Sequence, residues 1–518
     1  LWLNESFATY FGYGVVDHFH PEWDLWDHFL HGQTETALDR DALHETFPME
    51  IPGGEHVVIN ASTAPIIYNK GGSILRQVEG YVGKEAFKEG LRIYLKRHEY
   101  GCAASHHLWG SLEEVSAKPV ARMMESWVEQ AGFPWVSVAR EGERLLLRQG
   151  RFTYLSGESE QVWLIPVVVR LFFAGGDSKT VTVLLEGREA VIDLDSDVVG
   201  YKVNEGQSGF YRVQYQEEGR LQELGRRIVN KSLASVDRWG LQNDLYAFVK
   251  RGDAALESYL DFLSYYSDEE AFLPLISIAG NLCHAFLVMD GERRERVGLI
   301  GRGLFEKVLK RIGYEPRPEE KEATTILRDQ LIWYSVLYGS EEVTAFAEGK
   351  FAELRAGRKV HPDIMKSVMQ VGARHGDRET LDWFRKRIKA SESEHERLNI
   401  LTAIGCFGER GLIERVKQYI LDDVPNRNKF VPITALSENP AASPSLWEWY
   451  LFSLEAFEQF HPVHYERVLA AIIPISGIGR EEEIHSFFKA YMVKKEKAKD
   501  VIRLSLEKLQ INSRMRRS

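Results

Sequence analysis

The hydrophobic pattern of this chain changes period twice, and that confines the fold to three kinds of segment. Up to about residue 135, apolar residues recur every three or four positions. Ile74, Leu75, Val78, Tyr81 and Val82 form one such set, and Val120, Met123, Met124, Trp127 and Val128 another. That is the spacing of one helix face. From Trp135 the period falls to two, with Val136/Val138, Leu145/Leu147, Ile165/Val167/Val169 and Val181/Val183 split by Gly-rich turns. Six or seven such strands in about 80 residues predict a small β-sandwich. After about residue 217 the helical period returns, in amphipathic segments such as 232–250, 255–266, 324–337 and 341–356. The expected fold is multidomain and mainly α. It comprises a helical region 1–135, a β-sandwich 136–216 and a large α-helical superhelical domain 217–518 of HEAT or armadillo type.

Charge and cysteine usage exclude several functions. The chain has 518 residues and a net charge of −11, which argues against nucleic acid as a partner. Most of that charge lies in residues 1–135, where 19 Asp and Glu stand against 10 Lys and Arg. An acidic region favours cationic ligands such as the free amino group of a peptide. No apolar run reaches the roughly 18 residues of a membrane span, so no membrane partner is expected. Cys102, Cys283 and Cys406 are far apart and form no CxxC pair. A disulfide framework or Cys-based zinc site is therefore not expected, and a cytoplasmic location is.

The opening residues, Trp2-Leu3-Asn4-Glu5-Ser6-Phe7-Ala8, read as helix. Leu3, Phe7, Phe11, Val15 and Phe19 form the expected inward stripe. Glu5 shares a face with Ala8, Gly12 and Val16, small enough at its start for another backbone to approach. On spacing alone Glu5 reads first as a solvated helix glutamate. A carboxylate facing a close neighbour would instead need a cation or hydrogen bonds. An irregular stretch follows a second predicted helix, about 24–38, and contains Pro48, Pro52, Gly53, Gly54 and Pro65. Loops of that length are often functional. A later helix is expected to be capped by Ser105, and another to start at Pro119.

Five segments, taken in order, resemble the M1 family of zinc aminopeptidases. Trp2 to Ala8 resembles its WLNEGFA segment, and Tyr68-Asn69-Lys70-Gly71-Gly72 its Tyr-x-Lys-Gly segment. Trp127 to Pro134 resembles the WxxQxGxP that ends the catalytic domain, and Gly209 to Val213 the GFYRV strand of the β-domain. Asp237-Arg238, with Asp244-Leu245 and Phe248, resembles the start of the helical domain. Within that family the segments resemble those of the archaeal tricorn interacting factors. The resemblance implies that 1–135 is the carboxy-terminal part of a thermolysin-like catalytic domain. It implies Glu5 as the third ligand of a Zn2+ site and Tyr68 as the phenol that hydrogen-bonds the oxyanion. Lys70, Gly71 and Gly72 are expected to shape the turn.

The chain departs from that family in the segments it lacks. No HExxH occurs: His44-Glu45, His98-Glu99 and His395-Glu396 lack the second histidine, and the GxMEN segment is also missing. HExxH places two histidine ligands and a general base on one helix face. Without it the chain is expected to be an amino-terminally truncated member, inactive alone and not retaining zinc. His28 and His31 are a conceivable ligand pair, but are read with His18, His20 and His106-His107 as structural. The function implied is that of a fragment of an enzyme removing amino-terminal residues from peptides. Alternatives are a non-catalytic peptide-binding or chaperone-like scaffold, and one half of a split enzyme. Expected partners are peptides with a free amino terminus, a missing amino-terminal half and a proteasome- or tricorn-type protease system.

Overall fold

The computed structural model describes the chain except for Leu1, residues 52–57, Ser156, Glu158 and residues 496–497. Pro52, Gly53 and Gly54 of the expected long loop thus lie outside the described residues. The chain forms two compact units, Leu1–Pro274 and Leu275–Ser518.

The first unit begins with α1 (Trp2–Phe19), followed by α2 (Leu25–Phe29), a π-helical turn (Leu30–Glu35) and α3 (Thr36–Asp41). The second predicted helix is therefore continuous to Asp41 but widened in its middle. A second π turn (Pro65–Lys70) opens α4 (Gly71–Val82), and α5 (Lys84–Arg97), α6 (Ser105–Ser116) and α7 (Val120–Val128) follow. Insertions of this kind often mark functional positions. The predicted inward sets of α4 and α7 are buried. Ser105 is not a cap: it is the first helical residue, and its hydroxyl donates to Glu50 Oε2 at 3.0 Å. The Ala104 N–H is met instead by His107 Nδ1 at 3.0 Å.

The face that α1 buries differs from the expected stripe. Trp2, Ser6 and Tyr10 are its buried residues, whereas Val15 is 53% and Phe19 72% exposed. A strict i+4 series drifts about 40° per step on a helix of 3.6 residues per turn, so it cannot stay on one face. Aromatic contacts select the other face: Trp2 stacks on Trp109 at 6.2 Å, and Tyr10 meets Trp26 at 5.5 Å and Phe87 at 5.8 Å. Ala8 and Gly12 are exposed, with nothing near a Cβ built on Gly12. Close approach occurs on the other side, at Gly71, where an added Cβ would lie 1.8 Å from Ser6 Oγ.

Seven strands make the sandwich. β1 (Pro134–Glu141), β2 (Arg144–Arg151), β5 (Glu189–Asp193) and β7 (Arg212–Tyr215) form one sheet, in the order β5-β2-β1-β7. β3 (Ile165–Phe173), β4 (Ser178–Leu185) and β6 (Val198–Val203) form the other, in the order β4-β3-β6. Only the β1–β7 pair is parallel among the described ladders. Next come α8 (Arg220–Val229), α9 (Ser235–Arg251), α10 (Leu256–Phe262) and α11 (Phe272–Val288), within which the unit boundary falls.

The second unit is helical throughout its described residues. α12 (Gly291–Ile312), α13 (Glu322–Leu337), α14 (Glu341–Arg355), α15 (Met365–Arg374), α16 (Arg378–Ala390) and α17 (Glu394–Ile404) lead it. α13 packs on α15 and α15 on α17, while α12, α14 and α16 each pack on the helix that follows them. That is the stacked helix-pair arrangement expected of a HEAT- or armadillo-like domain.

Candidate functional site

Glu5 lies in the first turn of α1 and Tyr68 in the π turn before α4; both are half-buried. The fold brings them together. The Tyr68 hydroxyl lies near enough to the Glu5 carboxylate that its hydrogen-bonding pull, then partial burial, then its negative charge raise the phenol above its ordinary pKa. A phenol held in this way stays protonated near neutrality and remains a donor. No lysine, arginine or histidine pairs with Glu5 among the described residues. A half-buried carboxylate beside one phenol has lone pairs to spare for a cation.

Buried polar contacts fix the Tyr68 turn. Ser6 Oγ donates to the Ile67 carbonyl at 3.0 Å. Asn69 Nδ2 donates to the Gly32 carbonyl of the first π turn at 3.3 Å, and Ser73 Oγ lies 2.9 Å from Thr34 Oγ1. Lys70 Nζ pairs with Asp41 Oδ2 at 2.9 Å and donates to the Gly132 carbonyl at 2.9 Å. The Lys70 and Asp41 side chains are both wholly buried. Lys70 and Gly71 thus act as expected, by shaping the turn. Asp41 and Ser6 were not singled out from the sequence. An aspartate in the polar run Asp39-Arg40-Asp41 carries no mark of burial, and a serine inside a helix none of its partner.

The histidines near Glu5 in sequence are engaged elsewhere. His31 Nδ1 lies 3.2 Å from Glu35 Oε2, and Trp239 Nε1 donates to the same oxygen at 3.3 Å. Burial pushes the Glu35 carboxyl up, but the His31 contact and charge, the Arg212 charge and the Trp239 N–H together outweigh it, and the net displacement is downward. His28 packs on Phe272 at 4.9 Å, and His20 stacks on Trp23 at 4.1 Å. Catalytic zinc takes three protein ligands and keeps a fourth position open. Among the described residues no three His, Cys, Asp or Glu side chains are grouped to hold a metal. Glu5 alone does not make the site, so the described residues do not by themselves fit zinc.

The other motif residues form a closed junction. Arg212 Nη1 donates to Asp244 Oδ1 at 3.1 Å and also to Asn243, and the Val213 N–H donates to Asp244 Oδ2 at 3.1 Å. Burial raises the Asp244 carboxyl, and the Arg212 charge offsets only part of that. Asp237 Oδ1 accepts from Lys202 Nζ at 2.5 Å and from the Gly206 N–H at 2.8 Å. Arg238 grips Glu269 through two bonds of 2.6 and 2.8 Å. The first two sets fasten strands and their turns to α9, and the Arg238 pair fastens α9 to the segment before α11.

Known proteins share this organisation. Residues 1–127 match the peptidase family M1 domain and residues 200–511 the ERAP1-like C-terminal domain. Aminopeptidase 2 of Candida albicans is 30% identical over 87% of this chain and 49% of its own length. The leucyl aminopeptidase of Saccharolobus solfataricus is 28% identical over 94% of this chain and 60% of its own. Tricorn protease-interacting factor F2 of Thermoplasma acidophilum is 36% identical over 57% of this chain and 36% of its own. The chain therefore spans about half to three-fifths of the length of the first two relatives. No helix of the described residues is long and apolar enough to cross a membrane. With an M1 domain over its opening helices and an ERAP1-like domain over most of the remainder, the chain belongs to the M1 family of aminopeptidases.

Proposed function

We propose that this chain is the part of an M1 zinc aminopeptidase that carries one metal-ligand position, Glu5, and the oxyanion donor, Tyr68. The reaction is removal of single residues from the free amino terminus of peptides. The observation that carries this reading is the proximity of two half-buried groups from separate motifs, with no lysine, arginine or histidine paired with the carboxylate among the described residues. A phenol donor aimed at a developing oxyanion is typically worth roughly 3–4 kcal/mol of barrier. The acidic balance of residues 1–135 suits a cationic amino terminus.

The 518 residues contain no HExxH. A lone carboxylate holds zinc weakly, so the chain by itself is expected to show little zinc retention and little turnover. The uncovered face of α1, with Phe19 72% and Val15 53% exposed, favours a second component of this reading. An HExxH-bearing segment, on the same or a separate polypeptide, would cover that face and complete the site. A tricorn-type protease system is a fitting partner, and the cytoplasm a fitting location.

Purified chain is assayed for zinc per mole and for hydrolysis of an aminoacyl anilide, with and without added zinc. Neither stoichiometric zinc nor turnover is expected. Both together would overturn the account, because the two histidines and the base would then be dispensable.

A further inference from the structure

Ser6 stands where the WLNEGFA segment has glycine, so its hydroxyl is an addition whose place in the fold can be asked about. It follows Glu5 directly and is completely buried. Its Oγ donates to the carbonyl of Ile67, which directly precedes Tyr68, at 3.0 Å. The hydroxyl therefore joins the residue after one site member to the residue before the other. Opposite it stands Gly71. A Cβ built there would lie 1.8 Å from Ser6 Oγ and 2.8 Å from Ser6 Cβ, so the two positions hold one side chain between them. The far end of the turn is held independently, by Lys70 on Asp41 Oδ2 at 2.9 Å and on the Gly132 carbonyl at 2.9 Å.

We propose that Ser6 is a positioning residue. Its bond to the Ile67 carbonyl, seated against Gly71, sets the separation of the Glu5 carboxylate and the Tyr68 hydroxyl. This rests on the reading of Glu5 and Tyr68 as one site. Ser6 makes no contact with a reacting group; it acts through the backbone on either side. A buried hydroxyl with a single carbonyl acceptor fixes direction as well as distance, which apolar packing at the same place would not. The Lys70 anchor fixes the turn against α3 and the strand entrance. The Ser6 bond fixes it against α1, which carries Glu5.

The test uses the whole 518-residue chain labelled at tyrosine Cζ, with the Tyr68 resonance assigned by Tyr68→Phe and read at pH 7. Glu5→Gln gives the displacement that follows loss of the contact. Ser6→Ala is expected to move the resonance the same way by at least half as much. Gly71→Ala is expected to lower the urea midpoint, and adding Ser6→Gly to it to restore the midpoint while the Tyr68 resonance stays displaced. A merely structural Ser6 would let midpoint and resonance recover together, and that result would overturn the proposal. So would a wild-type Tyr68 resonance in folded Ser6→Ala when Glu5→Gln does displace it, leaving the functional reading intact. If Glu5→Gln itself leaves the resonance unmoved, the pairing behind the functional reading fails, and the positioning role with it.

Discussion

Glu5 and Asp244 are both carboxylates on helices of the same compact unit, and both lie in segments that resemble family motifs. Their surroundings are opposite. Asp244 is 7% exposed and receives the Arg212 guanidinium and a backbone N–H, one on each oxygen. Glu5 is half-buried and lies near a phenol, and among the described residues no lysine, arginine or histidine pairs with it. The contrast separates two uses of a charged group. A closed carboxylate, with its lone pairs filled from within the chain, fastens elements together. An open one is ready for something from outside. Motif resemblance alone does not tell these apart, because both kinds of residue sit in recognisable segments.

The largest effect should come from breaking the closed side. Arg212→Met leaves Asp244 buried without its cation, and removing one partner of a buried pair costs about 3–5 kcal/mol. Urea unfolding of the variant should show that loss, and a change below about 1 kcal/mol would mean that Asp244 is not closed as described.

A smaller, pH-dependent loss is expected at Glu269. Burial raises its carboxyl, but the Arg238 bonds and the Ala271 and Glu270 N–H groups outweigh burial and hold it below the ordinary value. The folded pKa lies under the unfolded value of about 4.3, so the stabilisation is present above that pH. It fades as pH falls through the folded value. The excess of the wild-type urea midpoint over that of Glu269→Gln should be steady from neutral pH down to about 5 and shrink below about 4. An excess that grows on acidification would reverse the sign.

Amide exchange sharpens the comparison at the level of whole helices. α9 buries residues all around its circumference, whereas α1 buries Trp2, Ser6 and Tyr10. Helices with few buried contacts open at lower free energy, so α1 amides should exchange faster than those of α9. Equal protection would show that the open face has no consequence for stability. The smallest effect is expected from Glu5→Gln, which should change stability by no more than about 0.5 kcal/mol. A loss of several kcal/mol would class Glu5 with the structural carboxylates.

Regular periodicity made the helices and strands legible. The inward residues of α4 and α7 follow from a stripe that repeats in step with the helix, and the strand alternation survives in the two sheets. α1 was harder to read because it is apolar on more than one side. Leu3, Phe7 and Phe11 looked like the core face until Trp109, Trp26 and Phe87 met the face of Trp2 and Tyr10 instead. Ser105 matched a cap by residue type, but the Glu50 carboxylate takes its hydroxyl. Glu5 and Tyr68 were singled out through resemblance alone, since no spacing or period marks either of them. Asp41 under Lys70 and the Ser6–Ile67 bond were not legible, because each joins segments distant in sequence through groups that are ordinary in isolation.

The central claim is that Glu5 is open because it belongs to a metal site completed from elsewhere. The most direct measurement is zinc per mole in the chain mixed with a separate polypeptide carrying an M1 HExxH segment, compared between wild type and Glu5→Gln. The account predicts close to one zinc per complex for wild type and a small fraction of that for Glu5→Gln. Equal zinc in both would contradict it, because Glu5 would then have no part in holding the metal.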